Sequence, residues 1–102
     1  MLIYHIVLPE LWEVFKNKEE YEAESLQTEG FIHCSFAEQL DGVLRRYYSN
    51  AEKVLILSLD TEKLASKLIN EPSTNNDIYP HIYGKINKSA IVEINEREIN
   101  RR

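Results

Sequence analysis

The sequence is poor in the residues that punctuate a chain, cross-link it or carry it through a membrane. Its 102 residues hold one cysteine, three glycines and three prolines. A single cysteine excludes an intramolecular disulfide and a zinc site built from several thiolates. So little glycine and proline excludes collagen-like and low-complexity chains. The longest apolar run, Val54-Leu55-Ile56-Leu57, is far short of a membrane span. The chain opens directly on a strand-like segment, with no basic stretch and no cleavage site. The expectation is a cytoplasmic protein with no membrane partner. Twelve basic residues against 17 acidic ones give a net charge of −5. That balance makes a long nucleic acid a poor partner, because such binding rests on Lys and Arg contacts to phosphates.

What is present suffices for one core: 43% of the residues are apolar. Residues 1–102 read as a single domain with a charged tail from about Glu96, which is expected to fray. The acids concentrate between Glu10 and Glu29, where seven of them face only Lys16 and Lys18. This window is read as a solvated helical face, with a docking surface for a basic partner as the alternative.

Leu2 to Leu8 is rich in strand formers and carries one histidine, so it reads as a buried strand. Pro9 suits a first helical turn, and Leu8, Leu11, Trp12 and Phe15 follow the spacing of an amphipathic helix. Tyr21 to Leu26 reads as a short helix or turn, and Phe31 to Cys34 as a short strand after Gly30. Ser35-Phe36-Ala37-Glu38 fits a capping box, with Leu40, Val43, Leu44 and Tyr47 as the apolar face of the helix it opens. Lys53 to Leu59 is the best central strand. Asp60 caps an expected helix from Thr61, with Leu64 and Leu68 on one face; Lys67 to Glu71 fits either its end or another strand. Pro72 to Pro80 reads as a nine-residue loop long enough to be functional. Ile82 to Ile86 and Ser89 to Ile94 are further strands. Strands and helices mix without regular alternation, which makes the fold class α+β.

The chemistry rests on few residues. His5, His33 and His81 each sit beside aromatic or β-branched neighbours at strand-like positions, and imidazole alone titrates near neutrality unperturbed. Alone, each fits a core or edge histidine; together they point equally to function. Zinc ligation by the histidines and Cys34 is disfavoured, because adjacent His33 and Cys34 face opposite sides of a strand. No metal is therefore expected. Cys34 precedes a helix start, which would favour a thiolate, but a small buried side chain explains it better. Ser35 is a helix cap that could also touch an anion. Glu71 stands at the mouth of the long loop, where a carboxylate could stabilise an oxocarbenium ion or take a ribose proton; a surface glutamate before proline is the plain alternative. Tyr79, His81 and Tyr83 offer stacking surface and hydrogen bonds to a flat ring, or core packing.

Ile3-Tyr4-His5-Ile6, Ser25-Leu26, Glu29-Gly30-Phe31-Ile32-His33-Cys34-Ser35, Gln39, Glu71 and Tyr79-Pro80-His81-Ile82-Tyr83-Gly84 occur in this order. Over residues 2–94 the chain thereby resembles a small, mainly bacterial family, domain of unknown function 952. That family looks related to the ADP-ribosyltransferase superfamily, whose split, mixed β-sheet with flanking short helices binds NAD in a central cleft. The resemblance implies NAD as a possible substrate, with His5 on the ribose, His33 and Ser35 in the pocket, and Glu71 acting at the nicotinamide–ribose bond. Tyr79, His81 and Tyr83 would complete the cofactor pocket. For the pyrophosphate, Arg45, Arg46, Lys53 and Lys85 are the candidates. Three other readings stay open: a non-catalytic nucleotide or ADP-ribose module, a histidine acid–base enzyme on an RNA phosphoester, and an interaction domain using its acidic face.

Overall fold

A computed structural model of the chain describes residues 1–73 and 76–100. β1 (Leu2–Val7), β4 (Lys53–Asp60) and β8 (Ile91–Glu98) form one sheet in the order β1-β4-β8. β3 (Ile32–His33), β6 (Ile78–Tyr83) and β5 (Lys67–Pro72) form a second, in the order β3-β6-β5, and β2 (Glu20–Tyr21) pairs with β7 (Ile86–Asn87). Every described ladder is antiparallel. The α+β class therefore holds, while the parallel pairs of a mixed sheet are absent from the described ladders. The helices are α1 (Pro9–Phe15), α2 (Ser25–Thr28) and α3 (Leu40–Tyr47).

β4 is the spine, and its unbroken apolar run follows from burial on both faces. Leu57 and Leu59 join Ile3 and Val7 of β1 in the larger core, with Tyr21, Ile32, Cys34, Ile82 and Ile86 from the other sheets. Val54 and Ile56 face the opposite way, with Ile6 and with Leu44 of α3. The period-two alternation of β1 thus sends Ile3, His5 and Val7 into the larger core. An isolated backbone bridge ties β1 to the chain just past β3, where Tyr4 and Ser35 exchange hydrogen bonds of 2.9 and 2.7 Å.

Four sequence expectations need correction. The helix expected after Asp60 is a single 3₁₀ turn, Thr61–Lys63, although Asp60 does cap it through a bond from the Glu62 amide. Lys67 to Pro72 continues as an edge strand. The nine-residue loop is shortened from both ends, because Pro72 belongs to β5 and residues 78–80 to β6; Thr74 and Asn75 lie outside the described residues. Pro80 is tolerated inside a central strand because its carbonyl accepts from the Cys34 amide just past the end of β3. Its missing N–H would point to that same side, where no ladder bond is needed. The capping box at Ser35 moves one residue along and forms by half. Gln39 accepts from the Phe36 amide at 2.9 Å, and Phe36 has no side-chain acceptor to return the bond. Finally, the tail does not fray before Asn100: the Ile99 and Asn100 amides both bond to the Glu52 carbonyl. Arg101 and Arg102 lie outside the described residues.

Candidate functional site

The site is built on the face of the β3-β6-β5 sheet turned away from the core. In register, Ile32 pairs with Ile82 and His33 with His81, while Glu71 pairs with Tyr79 and Ile69 with His81. Alternation sends Ile32 and Ile82 into the core. The same alternation puts His33, Glu71, Tyr79, His81 and Tyr83 together on the other face. Gly84 follows β6 where the chain passes Ser66, whose side chain would clash with an added Cβ. Gly30, at φ 89°, lets the chain leave α2 and enter β3.

His81 is the best-held of these groups. Its Nδ1 donates to Glu71 Oε1 at 2.8 Å, and the Tyr83 hydroxyl donates to the same oxygen at 2.5 Å. These bonds, Tyr83 first and His81 next, hold the Glu71 carboxyl below its ordinary value, so it stays a carboxylate. Phe31 stacks on the imidazole with ring centroids 4.1 Å apart and planes 18° apart. His81 is 7% exposed. Among the described residues its Nε2 makes no hydrogen bond, yet it is not sealed from solvent.

A cavity of about 620 Å³ opens beside it, lined by His33, Ser35, Arg46, Tyr48, Tyr79 and His81 among others. Arg46 donates to the Tyr79 hydroxyl at 2.8 Å, which fixes a guanidinium at the wall. His33 is half-exposed, with Nε2 bonded to Glu29 Oε2 at 3.1 Å. Its ring lies 5.5 Å from that of His81, centroid to centroid, in an edge-on arrangement. Ser35 lines the same cavity and is buried. Its hydroxyl bonds to nothing among the described residues, so the expected cap leaves its oxygen free. Glu71 stands behind His81 and is not part of the cavity wall.

His5 is a different kind of histidine. Its Nδ1 is 2.7 Å from the His33 carbonyl, which can only accept, so Nδ1 carries the hydrogen. Nε2 then accepts from the Tyr21 hydroxyl at 2.9 Å. Both nitrogens are used within the protein. Burial, partly offset by the bond to His33, lowers His5 to about 4. Burial also pushes the Cys34 thiol up, which suits a packing role and not a nucleophile. No cluster of three or more metal-ligating side chains occurs among the described residues.

Sequence reasoning singled out His33, Ser35, Glu71, Tyr79, His81 and Tyr83, and the structure brings them to one face or one cavity. It missed Phe31, whose place two residues before His33 was the available signal. Of the four basic candidates, Arg46 reaches the cavity, whereas Lys53 pairs with Glu96 at 3.4 Å.

The chain belongs to the family described as "Protein of unknown function (DUF952)", whose family model matches residues 6–94. Its fold is shared with the protein CC0527 from Caulobacter crescentus. The crystal structure of that protein superposes with a TM-score of 0.85 at 25% identity, covering 94% of this chain and 85% of that one. A double mutant of CC0527 gives 0.84 at 24% identity over the same shares. Its solution NMR structure gives 0.77 at 26%, covering 95% and 83%. No curated protein matches the chain. Among the described residues, no helix is long and apolar enough to cross a membrane.

Proposed function

We propose that the cavity binds a nucleotide of the NAD or ADP-ribose class and that His81 acts on it as a general base. The observation that carries this reading is the Glu71–His81 pair. A carboxylate holding Nδ1–H fixes the tautomer, leaves the Nε2 lone pair open, and stabilises the imidazolium that forms when Nε2 takes a proton. Arg46 supplies the positive charge a diphosphate needs. The resemblance to ADP-ribosyltransferases supplies the substrate class.

On NAD, His81 Nε2 removes the proton from an acceptor hydroxyl or water as its oxygen bonds to the ribose C1′. The C1′–N bond breaks, and its electron pair leaves with neutral nicotinamide. Glu71 acts through His81 here, since one of its oxygens already accepts from both His81 and Tyr83. His5 serves this scheme as the support of the His33 backbone. Calorimetry with NAD and with ADP-ribose, followed by chromatography for free nicotinamide, tests the proposal. Heat with nicotinamide release agrees with it. Heat without release makes the domain a binding module, and no heat with either ligand removes this nucleotide class.

One observation favours a second reading, acid–base chemistry on a phosphoester. Two imidazoles 5.5 Å apart beside a guanidinium form an acid, a base and an anion clamp. Cleavage of a short RNA without NAD would select it.

A further inference from the structure

The cavity does not end at its own wall. A second cavity, of about 250 Å³, lies between β1, α1 and the start of β3. Both are lined by His33, Ser35, Val43 and Tyr48. Four shared residues make one cleft with two chambers and a neck, and the chambers differ in charge. The larger holds Arg46, with the Glu29 carboxylate on its wall tied to His33. Among the described residues no lysine or arginine lines the smaller, whose walls include Tyr4, Leu8, Leu11 and Tyr21 and one carboxylate, Glu24. His5 on its wall is neutral by burial, with both nitrogens used. At the neck, the Ser35 and Tyr48 hydroxyls have no hydrogen-bond partner among the described residues, although Ser35 is only 5% exposed.

We infer that the cleft takes a 5′-mononucleotide unit lengthwise, the phosphate in the larger chamber, the ribose at the neck and the base in the smaller chamber. The inference rests on the nucleotide reading above and adds to it which part of the ligand goes where. An anion belongs beside the guanidinium, and an uncharged flat ring belongs among tyrosine and leucine side chains. The polyhydroxylated part between them would satisfy two hydroxyls that the protein leaves open. A ligand reduced to either end would use half the cleft.

Calorimetry with AMP, ribose 5-phosphate and adenosine tests this directly. AMP is expected to bind about tenfold or more tightly than either fragment, which corresponds to about 1.4 kcal/mol. Leu11 is half-exposed at the rim of the smaller chamber, so Leu11→Trp fills that chamber at little cost to folding. The variant should erase the advantage of AMP and leave ribose 5-phosphate unchanged. As a measurement that needs no variant, nuclear Overhauser contacts from the adenine H2 and H8 protons should reach Tyr4 and Leu11. Equal affinities for AMP and ribose 5-phosphate overturn the inference while leaving nucleotide binding intact. So do adenine contacts to Tyr79 in place of Tyr4. Silence with all three probes removes the nucleotide reading itself, and the lengthwise placement goes with it.

Discussion

His5 and His81 lie on facing sheets, are buried to nearly the same degree, and both sit beside isoleucine in sequence, yet they have opposite chemical standing. His5 is 6% exposed and His81 7%. The first spends both nitrogens on the protein, one on a backbone carbonyl and one on a tyrosine hydroxyl. The second spends one, on a carboxylate that polarises the ring, and leaves the other facing a cleft. Burial alone therefore says little about what a histidine does. The partner inventory decides: a neutral imidazole with donor and acceptor both matched is a structural tie, and one with an open lone pair is a reagent.

The contrast is broken most severely at His81. His81→Ala should lower turnover by about 10²–10⁴-fold, the usual contribution of a positioned general base, with the fold retained by circular dichroism. Equal turnover in variant and parent would return His81 to the packing residues. His5→Ala should do the reverse. It strands the His33 carbonyl and the Tyr21 hydroxyl in the core, at a cost of about 2–4 kcal/mol of stability in urea unfolding.

The pH dependence sharpens the same comparison. The folded-state value of His5, about 4, lies below its ordinary 6.5. The unfolded chain therefore binds the proton first, and stability must fall as pH drops from about 6.5 towards 4. The full loss has an upper bound of about 3 kcal/mol. Urea midpoints at pH 7.5, 5.5 and 4.5 read this slope, and His5→Gln should flatten it. The depressed Glu71 carboxyl adds a loss of the same sign as pH falls below about 5.5, so the step from pH 7.5 to 5.5 reads His5 apart from Glu71. The smallest expected effect is at Tyr21→Phe. It removes only the hydrogen that Nε2 accepts and should cost about 1–2 kcal/mol, with the affinity for ribose 5-phosphate unchanged.

The sequence made some of this readable and hid the rest for definite reasons. β1 and β4 announce themselves because their β-branched and leucine runs are buried on both faces of a sheet. The apolar stripe of α3 is legible in part: Leu44 is buried and Arg45 and Arg46 are exposed, but Tyr47, expected on the same stripe, is exposed too. Glu71, Tyr79, His81 and Tyr83 are legible as groups flanking an expected loop; that they share a face follows from alternation along β6 and from the β5–β6 register, which the loop reading hides. What alternation cannot reveal is pairing across the chain. The Arg46–Tyr79 bond spans 33 positions and the His5–Tyr21 bond 16, and no local pattern encodes either. Pro72 and Pro80 misled for a related reason. Local chemistry reads proline as loop, but an edge strand and the unpaired end of a neighbouring strand both tolerate a missing N–H. The helix expected after Asp60 failed because its capping signal is real while the following residues find better partners in the β5–β6 ladder.

The most direct measurement is a long-range ¹⁵N–¹H spectrum of the three imidazoles, recorded without and with AMP. The expected result has three parts. His5 stays a neutral Nδ1–H tautomer from pH 8 to 5, with and without nucleotide. His81 is an Nδ1–H tautomer whose Nε2 shifts on addition of AMP. His33 shifts with it. A His5 that titrates near neutrality or changes tautomer with the ligand, beside a silent His81, would contradict the division of roles between the two sheets.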